Sequence, residues 1–112
     1  MKSKLAISLF ILTALTSNLV YAKALPKGAI KEGSLSNQKL IGDAKAGVAA
    51  QVATQGCNKP EKVDFFVMQQ PQGEVGSRYW KELWVVEGCK KSYPIKVKFQ
   101  EDTTGATWII EK

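Results

Sequence analysis

The chain of 112 residues contains no histidine and only two cysteines. Without histidine it cannot hold a Ser-His-Asp or Cys-His nucleophile, a His-ligated zinc ion or an imidazole pH switch. The two cysteines also lack the CxxC spacing that is typical of zinc and redox pairs. These absences favour a protein that is not an enzyme and uses no cofactor.

The sequence has one long apolar run, and that run is too short to cross a membrane. Leu5–Leu15 follows two lysines, whereas a helix needs about 20 apolar residues to span a bilayer. Val20-Tyr21-Ala22 then has the small residues of a signal-peptide cleavage site, and Ala24 ends a second such site. We predict a signal peptide over 1–22, a periplasmic or secreted bacterial protein, and no membrane span in the mature chain.

Cys57 and Cys89 are predicted to form a disulfide bond, because paired cysteines are typical of small exported domains. Closing a loop of this length restricts the unfolded chain by roughly 3–4 kcal/mol in the chain-entropy account. A reactive thiol and a metal pair were the alternatives, and neither has a supporting motif.

One segment, residues 36–55, has the pattern of a helix. Its apolar residues recur at spacings of three and four, with Ser34 or Ser36 available as the N-terminal cap and Gly56 as the stop. Gly42 and Gly47 within it indicate either close packing against a sheet or simply a weak helix. The apolar positions are Leu40, Ile41, Ala44, Val48 and Val52.

The rest of the mature chain alternates as strands, joined by short turns. Strands are predicted over 62–70, 77–87, 94–100 and 106–111, and short connections favour sequential antiparallel pairing. The predicted fold is α+β: one N-terminal helix packed on a four-stranded antiparallel meander, with one disulfide. It forms a single domain over 35–112, after a flexible lead-in over 23–34 that has a short edge strand around Ala29-Ile30.

This order of elements resembles the cystatin-like and NTF2-like helix-on-sheet architectures over residues 34–112. The segment from Tyr79-Trp80-Lys81-Glu82 through Val97 also resembles uncharacterised small secreted bacterial proteins. The cystatin resemblance implies a roll-shaped sheet around the helix. It does not carry protease inhibition, because Gln51–Gly56 does not match the Gln-x-Val-x-Gly hairpin and Ile95, not tryptophan, follows Pro94.

Trp80 and Trp84 share one face of a predicted strand, and Leu83 and Val85 lie on the other. If Leu83 and Val85 face the helix, the two tryptophans form an exposed patch that could bind a protein or a sugar. If the tryptophans face the helix, they build the core instead. The alternation alone leaves both interpretations open.

Basic side chains outnumber acidic ones, 16 to 10, which favours an anionic partner. Lys96 and Lys98 share a strand face, and Lys90 and Lys91 lie in the turn before it. With Trp80 and Trp84, Lys96 and Lys98 are the predicted contacts for an unknown macromolecule, either a protein or an anionic surface. Export argues against nucleic acid. The alternative is a solvated face whose lysines prevent strand aggregation.

Two further function classes remain as alternatives to this binding domain. One is a small-ligand carrier, with a pocket between helix and sheet lined by Phe65, Val67 and Trp108. The other is a hydrolase built on carboxylates, which requires two such groups across a cleft. The available carboxylates are Glu82, Glu87, Glu101 and Asp102, and Glu82 is the most interesting because it shares the face of Trp80 and Trp84.

Overall fold

A computed structural model of the chain describes residues 24–112. The predicted signal peptide, residues 1–22, lies outside the described residues. The elements, in chain order, are β1 (Lys31–Glu32), α1 (Gln38–Thr54), β2 (Pro60–Gln72), β3 (Tyr79–Gly88), β4 (Lys91–Asp102) and β5 (Gly105–Glu111).

The five strands form one antiparallel sheet in the order β1-β2-β3-β4-β5. The α+β class and the sequential pairing are therefore confirmed, and each long strand lies within three residues of its predicted bounds. The prediction of a four-stranded meander is only roughly matched, because the lead-in adds the short strand β1 before the helix. This two-residue strand pairs with Val67 and Phe66 of β2, and it lies just after the predicted edge strand at Ala29-Ile30. So short a strand leaves no periodic pattern in the sequence.

Helix α1 packs against one face of the sheet through the predicted apolar positions. Leu40, Ala44, Val48 and Val52 are buried, and the helix backbone comes closest to β4 and β5. Gly47 shows why the helix can approach so closely. A Cβ atom at this position would overlap the indole ring of Trp108 on β5, whereas a Cβ at Gly42 would meet open space. Close packing therefore explains one glycine and not the other.

The N-terminal cap of α1 is Asn37, so the predicted caps Ser34 and Ser36 were wrong. The Asn37 side chain accepts a hydrogen bond from the Leu40 backbone N–H at 2.8 Å. The two serine hydroxyls point away from the helix and donate to Glu82 instead. At the other end, Gly56 follows the helix with φ of 104°, the left-handed conformation that ends helices.

The predicted disulfide is present between Cys57 and Cys89, whose Cα atoms lie 5.8 Å apart. It ties the segment after α1 to the turn between β3 and β4. That turn consists of two residues, Cys89 and Lys90, with φ of 52° and 62°, as in the hairpin turns that match the strand twist. At Gly88 a Cβ atom would lie 2.6 Å from the Lys59 carbonyl oxygen, so glycine permits the close approach beside the bridge.

Candidate functional site

The two faces of the sheet differ sharply. Helix α1 packs against one face of the sheet, called the covered face. On this face the side chains of β3 and β4 form the core. The open face, opposite the helix, has no helix packed on it among residues 24–112. Alternation along β4 was predicted correctly, since Ile95, Val97 and Phe99 are buried and Lys96 is exposed.

Trp80 and Trp84 lie on the covered face, so the hypothesis of an exposed tryptophan pair was wrong. Their exposed fractions are only 7% and 0%. Trp80 stacks on Phe99 with ring centroids 5.3 Å apart, and Trp84 meets Phe65 edge-on at 4.7 Å. These contacts confirm the alternative in which both tryptophans build the core. They do not form a contact surface on the open face.

Glu82 lies between the two tryptophans, fully buried on the covered face. Each of its carboxylate oxygens accepts an indole N–H, from Trp80 and from Trp84, at 2.9 Å. Residues i and i+2 of a strand share a face, so the sequence Trp80-x-Glu82-x-Trp84 places the carboxylate beside both rings. The two indole N–H groups thus supply part of the hydrogen bonding that the buried carboxylate requires.

The rest of the Glu82 hydrogen bonds come from the strap, the three residues 34–36 that precede α1. The hydroxyls of Ser34 and Ser36 donate at 2.7 and 3.2 Å, and the backbone N–H of Leu35 donates at 3.0 Å. Five donors therefore replace the water of a solvated carboxylate, as burial requires. No cation takes part in this network within residues 24–112.

This network argues against Glu82 as a general acid or base. A catalytic carboxylate has to reach a substrate within hydrogen-bond distance, whereas Glu82 has no exposed surface and both oxygens already accept several donors. Its position beside Trp80 and Trp84 was predicted correctly, but its surroundings are those of a structural anchor.

The open face carries the predicted lysines. Lys96 and Lys98 lie on it in β4, opposite Leu83 and Lys81 of β3. Two other lysines of this face are already paired: Lys62 with Asp64 and Glu87, and Lys81 with Glu111. In the described part of the chain, Lys96 and Lys98 form no ion pair. The structure therefore separates the predicted contact set, with two tryptophans inside and two lysines outside.

Lys90 and Lys91 do not join Lys96 and Lys98. Lys90 lies in the β3–β4 turn, and Lys91 is the first residue of β4. Because Lys91 is an odd number of residues from Lys96 and Lys98, its side chain leaves the other face of the strand. The four lysines thus form two separate pairs.

A groove lies at one end of the covered face, where α1 stops short of the sheet. A helix of 17 residues is about 25 Å long, whereas the 12-residue strand β4 extends about 40 Å. The uncovered end forms a cavity of about 790 Å³ between the start of α1 and the ends of β3, β4 and β5. The sequence analysis missed this groove, because it arises from the unequal lengths of helix and strands.

An ion pair between Arg78 and Glu101 holds the wall of the groove. The guanidinium donates two hydrogen bonds of 2.8 Å to the two carboxylate oxygens, and the backbone N–H groups of Gly76 and Arg78 also donate to Glu101. The side-chain bond from Arg78 lowers the pKa of Glu101 to about 2. The hydrogen bond with Glu101 in turn raises the pKa of Arg78. Both groups are therefore charged at every physiological pH.

The three residues predicted to line a carrier pocket between helix and sheet do not line the groove found there. Phe65 contacts Trp84, Val67 is fully buried, and Trp108 lies against Gly47. None of the three lines the groove, nor do they line a smaller crevice of about 290 Å³ beside Val63 and Trp84.

Residues 24–112 contain neither a metal cluster nor a membrane-spanning helix. No cluster of three or more acidic or cysteine side chains there is placed to hold a metal ion. In the same range, no helix combines the length and hydrophobicity that membrane crossing requires.

Comparison of the chain with family models, curated proteins and solved structures finds no match. The open face and the groove are the two surfaces on which a partner or ligand can be placed.

Proposed function

We propose that this domain is an exported, non-catalytic binding module whose open face docks an acidic protein. One observation carries the proposal: Lys96 and Lys98 lie side by side on a sheet face without a helix, and they have no ion-pair partners in the described range, whereas Lys62 and Lys81 of the same face are paired. Unpaired cations on one surface attract and orient an anionic partner.

The open face also has apolar surface around these lysines. Ile109 on β5 is 61% exposed, and the half-buried Val85 and Phe66 lie on the same face, whereas Leu83 is buried. The Lys98 ammonium lies 6.0 Å from the ring centre of Tyr79. Apolar surface with cations at its margin is typical of protein interfaces.

The size of the face is consistent with a protein partner. Four long strands spaced about 4.8 Å apart offer a surface on the order of 600 Å². A standard interface buries about 800 Å² from each partner. A solvated face with protective lysines is the competing interpretation, but lysine protection is needed at sheet edges, whereas β4 is flanked by β3 and β5.

The disulfide supports a location outside the cytoplasm for this binding. Disulfide bonds form and persist in oxidising compartments, and the Cys57–Cys89 bridge is compatible with a protein outside the cytoplasm. The signal peptide over 1–22 remains a prediction from the sequence.

Charge reversal on the open face tests the proposal. The disulfide-bonded chain, immobilised as bait, is incubated with the extracytoplasmic fraction of the exporting cell, in parallel with the K96E/K98E variant. We expect the native bait to retain an acidic protein that K96E/K98E fails to retain. Raising the salt concentration should release this protein, because exposed charges are screened.

The K90E/K91E variant is the matched control, since it makes the same change in net charge away from the open face. It should retain the partner as the native chain does. Equal loss in both variants would mean that only net charge matters and would contradict a defined face. Sedimentation with phosphatidylglycerol vesicles that depends on Lys96 and Lys98, with no protein captured, would replace the protein partner by an anionic lipid surface.

A further inference from the structure

The groove at the start of α1 is a second surface, independent of the open face. Its volume of about 790 Å³ lies within the range of about 300–1,000 Å³ typical of small-molecule sites. It forms on the covered face, so a ligand there and a protein on the open face could bind at the same time.

The charges around the groove nearly balance. Arg78 and Glu101 neutralise each other through their paired hydrogen bonds. On α1, Lys39 and Asp43 are exposed four residues apart, the spacing of neighbours on a helix surface. Asp102 adds one further negative charge on β4. A small anion or cation would therefore meet a repelling group as well as an attracting one.

The floor and rim of the groove have opposite chemistry. The floor is apolar: the edge of Trp80, with Leu35, Leu40 and Ala106. The rim carries donors and acceptors, including Lys39, Asp43 and the hydroxyl of Thr104. A sugar ring has the matching pattern, with an apolar C–H face and a border of hydroxyl groups that both donate and accept.

The wall is fixed before any ligand arrives. Glu101 accepts hydrogen bonds from Gly76 and Arg78, so it joins the β2–β3 loop to the end of β4. Trp80 is held by its own bond to Glu82. Sites whose polar groups are already oriented lose less entropy on binding.

From these four features we infer that the groove binds a neutral carbohydrate. Hydroxyls of the sugar bond to Lys39 and Asp43 on the helix side, while its C–H face lies against Ala106 and the edge of Trp80. The Arg78–Glu101 pair acts as a rigid wall that positions the ligand.

The indole signals of two tryptophans provide the test. Both Trp80 and Trp84 donate to Glu82, but only Trp80 lines the groove. The disulfide-bonded chain is titrated, in an NMR experiment, with glucose, N-acetylglucosamine, cellobiose and chitobiose. We expect at least one sugar to shift the Trp80 indole signal and the Ala106 amide signal saturably, while the Trp84 indole signal stays in place.

Two lysines on one helix supply the matched variants. Lys39 lines the groove and Lys45 does not, and both are exposed. K39A should weaken binding of the responding sugar roughly tenfold, as expected for a lost hydrogen bond to a charged group, whereas K45A should leave the affinity unchanged.

Three outcomes would overturn the inference. They are the absence of any saturable shift with all four sugars, equal shifts of both indole signals, and a response to inorganic phosphate but not to the sugars. The last result would identify the groove as an anion site. None of them would bear on the open face, because Lys96 and Lys98 are not in the groove.

Discussion

The two faces of strand β3 show how differently one short sequence can be used. Trp80, Glu82 and Trp84 point to the helix, while Lys81 and Val85 alternate with them on the open face. Both sets contain apolar and charged residues, so hydrophobicity alone does not distinguish them. What distinguishes them is whether the charge meets donors from elsewhere in the chain, as Glu82 does, or meets solvent and surface partners, as Lys81 does.

The covered face tolerates a charge because its neighbours are all donors. Burying an isolated carboxylate costs several kcal/mol even after the protein relaxes. At Glu82 two indole N–H groups, two hydroxyls and one backbone N–H offset that cost. Because three of these donors belong to the strap, the network also fixes the segment that leads into α1.

The largest effect is expected from Glu82→Gln, which breaks the covered-face network with almost no change of shape. The new amide NH₂ replaces one acceptor, so an indole N–H of Trp80 or Trp84 is left facing a donor. We expect the free energy of unfolding to fall by about 2–4 kcal/mol, measured by urea denaturation.

Glu87→Gln is the control for this change, on the same strand but the opposite face. Glu87 forms only a surface ion pair with Lys62 at 3.9 Å, so its loss should change stability by less than about 0.5 kcal/mol. Similar effects of the two substitutions would mean that the faces do not differ as described.

A smaller effect is expected on the helix side of the covered face, where two glycines can be compared. Gly47→Ala places a methyl group in the indole ring of Trp108, and displacing that ring should cost about 1–2 kcal/mol. Gly42→Ala meets open space and should instead stabilise the helix by about 0.5–1 kcal/mol. Thermal unfolding of the two variants measures both signs, and a gain of stability in both would contradict the close contact at Gly47.

Much of the fold follows from local patterns in the sequence. The spacing of Leu40, Ala44, Val48 and Val52 predicts α1, and the alternation of Ile95, Val97 and Phe99 predicts the buried side of β4. The disulfide follows from the number of cysteines and the predicted export. In each case the information lies within one element or in residue type alone.

The parts that sequence reasoning missed depend on contacts between distant segments. Ser34 and Ser36 have the residue type of helix caps, but Glu82, more than 45 residues away, recruits their hydroxyls. The alternation along β3 does not decide which face α1 covers. Trp80 and Trp84 could therefore be interpreted either as core residues or as an exposed patch. The groove depends on the unequal lengths of α1 and β4, which no motif records.

The smallest effect is expected at the exposed end of the covered face, where Glu101 provides a counterpart to Glu82. Its pKa of about 2 is below the ordinary value of 4.5 because of the hydrogen bond from Arg78. A lowered folded-state pKa stabilises the fold above the ordinary pKa, and this contribution is lost as the pH falls from about 4.5 toward 2.

Acid titration of stability therefore separates the two carboxylates. Glu101→Gln should flatten the decline of stability over this acid range and leave the hydrogen bonds of Glu82 intact, which the Trp84 indole NMR signal reports. Solvent around the Arg78–Glu101 pair screens it, so the change should be smaller than that caused by Glu82→Gln. An unchanged acid profile would show that the Arg78 bond does not hold Glu101 ionised. In that case the rim of the groove would behave like the open face, where charged side chains contribute little to folding.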